Sequence, residues 1–149
     1  KHQPPEVLAA NNARREIAPE EDYVDDDSAR EAHKLAKLGV PVAIGAHGQE
    51  AGIAAHWELW SFGRGGMAAV EGLAAGTIEA ARSLGYDKDV GSIEAGKLAD
   101  LVILDADPSA DIRNSDKVSK VMIGGRLFDA ATLNEEVTGS RKRLPYYWE

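Results

Sequence analysis

Two histidines and one glutamate in the middle of the sequence are the side chains best placed to take part in a reaction. His47 directly follows an apolar run, residues 40–46, and His56 and Glu58 come shortly after it. Imidazole and carboxylate groups bind metal ions and move protons near neutral pH. A catalytic zinc site needs three protein ligands and an open position for water. Because the sequence has no cysteine, no His-x-His and no His-Glu-x-x-His, we expect no complete metal site in this chain, with His47 still open as one ligand.

The position of His47 leaves two interpretations open. In α/β proteins the loop after the C-terminal end of a strand is where reacting groups are placed, so His47 can be a functional residue. A loop histidine can equally hydrogen-bond the backbone and have only a structural role. His56 and Glu58 lie two residues apart, and on a helix such side chains point in different directions. They cannot form one bidentate pair, so a structural role, or a role in supporting His47, is favoured for both.

The elements that must position these residues follow a helix-glycine-strand order. Ser28 and Glu31 have the spacing of a capping box, and small apolar residues then recur at helical spacing until Gly39. The run 40–46 is led by Pro41 and is apolar throughout, which predicts a strand covered on both faces, as in a parallel sheet flanked by helices. The segment before Ser28 has proline and asparagine pairs and an acidic run, and it is predicted to be mostly loop.

Two or three helices are predicted between residues 53 and 84, ending at Gly85. Within them Ile53, Trp57 and Trp60 share a face, and the two tryptophans together with Phe62 are predicted core aromatics. The glycine-rich stretch 63–66 interrupts the helical pattern. It lacks the Lys-Ser/Thr of a phosphate loop, so it is predicted to be a turn between helices.

The pattern changes after about residue 87 from helical to all-β. A turn over 92–97, a strand over 98–104 and a hairpin over 118–128 are predicted, the hairpin because Gly124 and Gly125 allow positive φ at both turn positions. The C-terminal stretch 141–148 mixes basic and aromatic residues, which could stack on a nucleic acid. On an acidic chain such a short patch more often packs on its own domain.

Length and charge exclude several classes of protein. The chain has 149 residues and a net charge of −8, and only 6 of its 42 charged residues lie between 39 and 84, which predicts that the middle is buried. An acidic balance argues against a general nucleic-acid or membrane-surface binder, and we expect neither partner. A closed (β/α)8 barrel needs about 250 residues, so the chain cannot be a complete one. From the sequence we expect no N-terminal leader and no membrane-spanning run, and both a cytoplasmic and a periplasmic location stay open.

Residues 91–105, Gly-Ser-Ile-Glu-Ala-Gly-Lys-Leu-Ala-Asp-Leu-Val-Ile-Leu-Asp, resemble the C-terminal signature of the metal-dependent amidohydrolase superfamily. That group includes imidazolonepropionases, dihydroorotases and Xaa-Pro or Xaa-Arg dipeptidases. The helical stretch 69–81 before the signature and the hairpin 121–126 after it fit the same pattern. Residues 45–49 with 56–58 are similar to a subgroup often fused to Tol-type β-propellers. The resemblance covers residues 15–148.

The resemblance implies an α/β fold in two parts: residues 1–86 as the C-terminal segment of a TIM-like (β/α)8 barrel, with its last strand and helices, and residues 87–149 as the second half of a small β-sandwich. In that family the metal ligands follow strands one, four, five and six, all upstream of this chain. An Asp after strand eight activates the metal-bound water, and His47 stands at its position here. Gly96, Lys97 and Asp100 match the signature, but the family uses them to shape the sandwich.

The leading hypothesis is therefore the C-terminal part of a metal-dependent hydrolase of amide-type C–N bonds, acting on dipeptides or non-peptide amides. A divalent metal, zinc, is expected in the full-length protein and none on this chain alone, which is expected to be inactive. The expected partners are the small-molecule substrate and either a second copy of the chain or the remainder of its own barrel. The alternative is a non-catalytic scaffold or interaction module that completes a barrel or oligomerises.

Overall fold

The computed structural model describes residues 4–13, 19, 24–46 and 52–148. All of its α-helices precede all of its strands along the chain. The helices are α1 (Pro5–Ala13), α2 (Asp25–Lys37), α3 (Ile53–Arg64), α4 (Ala69–Ala75) and α5 (Ile78–Leu84). The strands are β1 (Leu101–Leu104), β2 (Val118–Ile123) and β3 (Arg126–Asp129), with a 3-10 helix, Ile112–Asp116, between β1 and β2. Among the described residues no helix is long and apolar enough to cross a membrane.

The N-terminal part contains more helix than predicted. Helix α1 lies in the segment predicted to be loop, and it begins at Pro5, whose fixed φ and missing N–H suit the first helical position. Helix α2 begins at Asp25, three residues before Ser28, and its N-cap is Val24. The predicted capping box at Ser28 and Glu31 is therefore wrong.

The early start of α2 has an electrostatic reason. Asp25, Asp26 and Asp27 occupy its first turn, where negative charge is stabilised by the helix dipole. Arg64, at the end of α3, pairs with Asp25 at 2.5 Å and with Asp26 at 2.6 Å. This contact from a distant part of the chain holds the first turn in place, and the local sequence does not reveal it.

Helices α2 and α3 cross closely where Gly65 meets Ala29. A Cβ atom on Gly65 would lie 2.5 Å from the backbone carbon of Ala29, so only glycine fits. His33 also approaches the Gly65 carbonyl, with Nδ1 3.3 Å from the oxygen. The core beside this crossing has a buried centre and partly buried neighbours; it consists of Phe62, Met67 and Ala75, packed against Ala32, Ala36, Val42 and Ile44.

Residues 40–46, the predicted strand, form neither a helix nor a paired strand in the part of the chain that the structure describes. Its apolar side chains Val42 and Ile44 pack on the core, and the Ile44 N–H donates to the Ala75 carbonyl at 3.2 Å. A strand is defined by a ladder with a neighbour, and no described strand pairs with this segment. The segment is apolar but only partly covered, since Val40, Pro41 and Gly45 are exposed and none of its residues is fully buried. The prediction of a strand covered on both faces is therefore not confirmed.

The prediction of helices between residues 53 and 84 is confirmed by α3, α4 and α5, with Gly65 and Gly66 in the turn after α3. Gly85 ends α5 in the left-handed conformation, at φ 77°. The predicted core role of Trp57 is wrong, because its side chain is 50% exposed. The buried face of α3 is set by Leu59 and Phe62, and Trp57 points away from it.

The three strands form one antiparallel sheet in the order β1-β2-β3. Gly124 and Gly125 make the β2–β3 turn with φ of 54° and 77°, which confirms the predicted hairpin. The first strand starts at Leu101 instead of 98. The Leu98 N–H is already used, since it donates to the Asp89 carbonyl at 2.8 Å, and a carboxylate oxygen of Asp100 accepts from the Gly124 N–H at 2.6 Å.

The signature lysine has a structural role in the turn before β1. The Lys97 side chain is only 11% exposed. Its ammonium donates to the Asp87 carbonyl at 2.6 Å and to the Ser92 hydroxyl at 2.5 Å, and it lies 3.3 Å from the Glu94 carboxylate. These contacts connect the two ends of the turn, so Lys97 stabilises it.

Glu135 organises the turn that follows β3. Its side chain is 5% exposed and accepts hydrogen bonds from the Thr138 hydroxyl, from the Thr138 N–H at 2.9 Å and from the Ser140 N–H at 3.1 Å. Chiefly through the Thr138 hydroxyl, these donors lower the pKa of Glu135 from 4.5 to about 2.

We predict that Gly65→Ala destabilises the protein by about 1–3 kcal/mol, because the added Cβ meets the backbone of Ala29 and the helices must separate. Chemical denaturation measures the loss. The matched control is Gly45→Ala, where an added Cβ meets nothing within 4 Å; it should change the free energy of unfolding by less than about 1 kcal/mol. Equal losses in both variants would contradict the close crossing.

We predict that Thr138→Val destabilises the protein in a pH-dependent way. Because the folded pKa of Glu135 lies below its unfolded value, its contribution is fully present above pH 4.5 and is lost as the pH falls towards 2. Removing the hydroxyl raises that folded pKa, so the stability difference from wild type should shrink between pH 5 and pH 2. Unfolding titrations across this range measure it.

The matched control for Thr138→Val is Thr77→Val, whose hydroxyl donates to the Leu73 carbonyl and to no carboxylate. Its effect on stability should not change with pH. A loss in Thr138→Val that is equally independent of pH would argue against the role of Glu135.

Candidate functional site

The candidate site lies where residues 40–46 end. His47, the predicted reacting residue, lies outside the described residues, and Ala46 is the last described residue before it. Gly45 and Ala46 are therefore the part of the strand end whose contacts are known. The contacts of these two residues set the position of the backbone just before His47.

Glu58 on α3 holds the strand end through its carboxylate. Its Oε2 accepts a hydrogen bond from the Gly45 N–H at 2.7 Å. A hydrogen bond to an ionised acceptor is shorter and stronger than one between neutral groups. Glu58 thus holds the backbone two residues before His47, and the role of Glu58 in supporting His47 stays a prediction.

His56 points away from the strand end, towards the unit that contains the sheet. Its Nδ1 lies 3.1 Å from the hydroxyl oxygen of Ser115 in the 3-10 helix, and the Trp60 indole N–H donates to the same oxygen at 3.0 Å. His56 and Trp60 are four residues apart and share one face of α3. The prediction that His56 and Glu58 cannot form one bidentate pair is confirmed, since they contact opposite neighbours.

An open cavity of about 520 Å³ lies beside the strand end. Its wall combines the strand end with charged, polar and aromatic side chains; among them are Gly45, Ala46, Trp57, Glu58, Ser61 and Arg64. The side-chain hydrogen bond from Arg64 to Asp26 raises the pKa of Arg64 above its ordinary value. The positive charge of Arg64 is compensated by its ion pairs with Asp25 and Asp26.

The described side chains do not fit a metal ion by themselves. No three His, Asp or Glu side chains in residues 4–13, 19, 24–46 and 52–148 lie close enough to hold one. His56 and Glu58 do not share a partner, since Nδ1 of His56 lies beside the Ser115 hydroxyl and Glu58 accepts from the Gly45 N–H. The role of His47 as a ligand therefore stays a prediction.

Ser115 is the residue that sequence reasoning missed. It is 4% exposed and is the shared partner of His56 and Trp60. In the sequence it is one serine in a polar stretch, more than fifty residues from its partners, and no local pattern marks it. Buried hydroxyls of this kind are found only when the tertiary structure brings their partners together.

The basic and aromatic tail packs on itself and on the N-terminal helix. The Arg143 guanidinium lies 4.3 Å from the centre of the Tyr146 ring, and that ring stacks on Trp148 at 4.4 Å. The Tyr147 hydroxyl donates to Glu6 of α1 at 3.1 Å. These contacts agree with the interpretation that the tail covers its own domain.

Comparisons with known proteins agree on one family. The model of the Amidohydrolase family matches residues 8–128. The imidazolonepropionase of Shouchella clausii (strain KSM-K16) is 45% identical over 82 residues, which cover 52% of this chain and 18% of that protein. The 5'-deoxyadenosine deaminase of Methanobrevibacter smithii is 42% identical over 53 residues, 36% of this chain and 12% of that protein. The chain thus spans less than a fifth of the length of these curated relatives.

Solved structures show the same similarity in three dimensions. A Xaa-Pro dipeptidase with bound methionine matches 70% of this chain and 25% of its own, with a TM-score of 0.63 and 31% identity. Molinate hydrolase matches 77% of this chain and 29% of its own, with a TM-score of 0.62 and 26% identity. With a family match that runs from α1 into β3, this chain belongs to the amidohydrolase family.

Proposed function

We propose that this chain is the C-terminal part of a hydrolase that cleaves amide-type C–N bonds in small molecules, either dipeptides or non-peptide amides. The family match supports the reaction class. Its relatives are named as an imidazolonepropionase, a Xaa-Pro dipeptidase, molinate hydrolase and phenylurea hydrolase B, and these names span the proposed substrates. Because the chain covers so little of each relative, the complete reaction belongs to a longer protein.

In this proposal residues 1–86 are the C-terminal segment of a TIM-like barrel and residues 87–149 are the second half of a small β-sandwich. The apolar segment 40–46, whose Val42 and Ile44 pack on the helical core, supports the first assignment. The three-stranded antiparallel sheet supports the second. Leu38 is 80% exposed, and Val70 and Leu84 are also largely exposed, as expected for side chains that the remainder of the barrel covers.

The observation that carries the proposed site is the hydrogen bond from the Gly45 N–H to Glu58. It holds the end of the apolar segment at the point where His47 follows, in the place that an Asp has in the family. We assign His47 as the residue that accepts a proton from the attacking water, which a neutral imidazole can do near neutral pH. Glu58 is assigned to orient the backbone that carries it.

The metal of the proposed enzyme is held by residues outside this chain. The described donors do not fit one, so no step of the reaction is assigned to a metal through them. A divalent ion, zinc by analogy with the family, would supply water with a pKa lowered to about 7. This chain alone is then expected to bind no stoichiometric metal. Tight zinc in the dialysed 149-residue chain would contradict this assignment.

We predict that His47→Ala lowers the kcat of the intact protein by about 100- to 10,000-fold, the range for removal of a general base. The assay is steady-state hydrolysis of a panel containing dipeptides, an imidazolone and a phenylurea, with bound metal measured by mass spectrometry on the same samples. The metal content should not change. The control is Gln49→Ala, two residues further along the sequence, which should keep the wild-type kcat.

Each other outcome of that assay has a defined meaning. Full activity in His47→Ala would make His47 structural, and loss of bound metal would make it a ligand instead of a base. If the wild-type protein hydrolyses no member of the panel and forms concentration-dependent oligomers, the interaction module explains the exposed apolar side chains better.

A further inference from the structure

Helix α3 is held from two opposite sides, and one of its partners has no role in the proposed reaction. Glu58 contacts the strand end, whereas His56 and Trp60 contact Ser115 of the 3-10 helix. We infer that Ser115 is a positioning residue, whose buried hydroxyl holds α3 so that Glu58 reaches the Gly45 N–H. Through Ser115, the 3-10 helix between β1 and β2 sets the position of Gly45 and Ala46 before His47.

Ser115 is placed rigidly enough for this role. The 3-10 helix Ile112–Asp116 is capped by Asp111, whose carboxylate accepts from the Arg113 N–H at 2.9 Å. It packs closely against α3, since a Cβ on Gly63 would lie 3.0 Å from Cγ2 of Ile112. With Ser115 itself 4% exposed, its hydroxyl is a fixed group that water cannot readily replace.

The hydrogen-bonding chemistry explains why one hydroxyl serves two side chains. The Trp60 indole has only a donor, so the Ser115 oxygen must accept from it. The hydroxyl proton is then available for Nδ1 of His56, 3.1 Å away. Without the hydroxyl, the indole N–H and the imidazole nitrogen both lose their protein partner at a part-buried site, which is costly.

Helical geometry carries the effect from Ser115 to Gly45. Two residues along a helix correspond to a rotation of about 200°, so Glu58 points almost opposite to His56. A rotation or opening of α3 on the Ser115 side therefore moves the Glu58 carboxylate relative to Gly45. Only the importance of that strand end in a reaction rests on the proposed function; the mechanical link does not.

We predict that Ser115→Ala makes the Gly45 amide exchange with solvent about tenfold faster in the intact protein without substrate. Residue-resolved hydrogen exchange, measured by NMR on the individual amides, gives the rate. The Leu38 N–H, which donates to the Lys34 carbonyl at the end of α2, is the internal reference and should change much less. Unchanged exchange at Gly45, or an equal increase at Gly45 and Leu38, would overturn the inference.

Three further variants separate positioning from loss of folding. Ser115→Thr keeps the hydroxyl and should keep exchange near the wild-type rate. Ser109→Ala, whose hydroxyl donates to the carboxylate of nearby Asp107, should have no effect. Trp60→Phe removes the indole N–H together with the pyrrole part of the ring and keeps Ser115, so it should give a smaller increase at Gly45. It tests the link even if Ser115→Ala does not fold. An increase with Ser109→Ala as large as with Ser115→Ala would also overturn the inference.

The coupling itself is tested in a double variant. With Glu58→Ala the Gly45 N–H has already lost its partner, so adding Ser115→Ala should cause no further increase in its exchange. Additive increases would mean that Ser115 acts on the strand end by another route and would overturn the inference. Because exchange needs no turnover, this result stands apart from that of the proposed hydrolysis.

Discussion

The close crossing of α2 and α3 at Ala29 and Gly65 is the constraint on which the rest of the arrangement depends. Without a side chain on Gly65 the two backbones approach each other, and Arg64 beside it reaches Asp25 and Asp26. This fixes the direction of α3. One face of the helix then meets the 3-10 helix, and the other carries the carboxylate that holds Gly45.

Elements set by local chemistry could be predicted from the sequence, and elements set by distant contacts could not. The Gly124–Gly125 turn and the end of α5 at Gly85 need positive φ, which glycine alone adopts easily, so both were predictable. The start of α2 depends on Arg64, and the exposure of Trp57 depends on which face of α3 is buried. Neither is encoded nearby in the sequence.

The position of the site at His47 stays a prediction, whereas the contacts around it come from the tertiary structure. An apolar run followed by a polar loop is enough to predict where a reacting group stands, and His47 was identified in that way. That Glu58 holds Gly45 and that Ser115 holds α3 are tertiary facts, which link residues 13 and 55 or more positions apart. The similarity to the subgroup often fused to β-propellers stays a prediction.

The family match and the lack of strand pairing in segment 40–46 are consistent with each other. This chain spans less than a fifth of the length of its curated relatives. Its apolar segment 40–46 packs on helices and is not part of the described sheet. Parallel strands of a barrel are buried on both faces and paired on both edges. The segment has the apolar composition of such a strand, and no described strand pairs with it.

An experimental structure of the intact protein with a bound substrate analogue tests the central claim most directly. Our account predicts that residues 40–46 pair on both edges in a parallel sheet, with the His47 imidazole at its carboxyl end within hydrogen-bond distance of the reacting group. A structure in which residues 40–46 stay unpaired, or in which His47 faces away from the bound analogue, would contradict it.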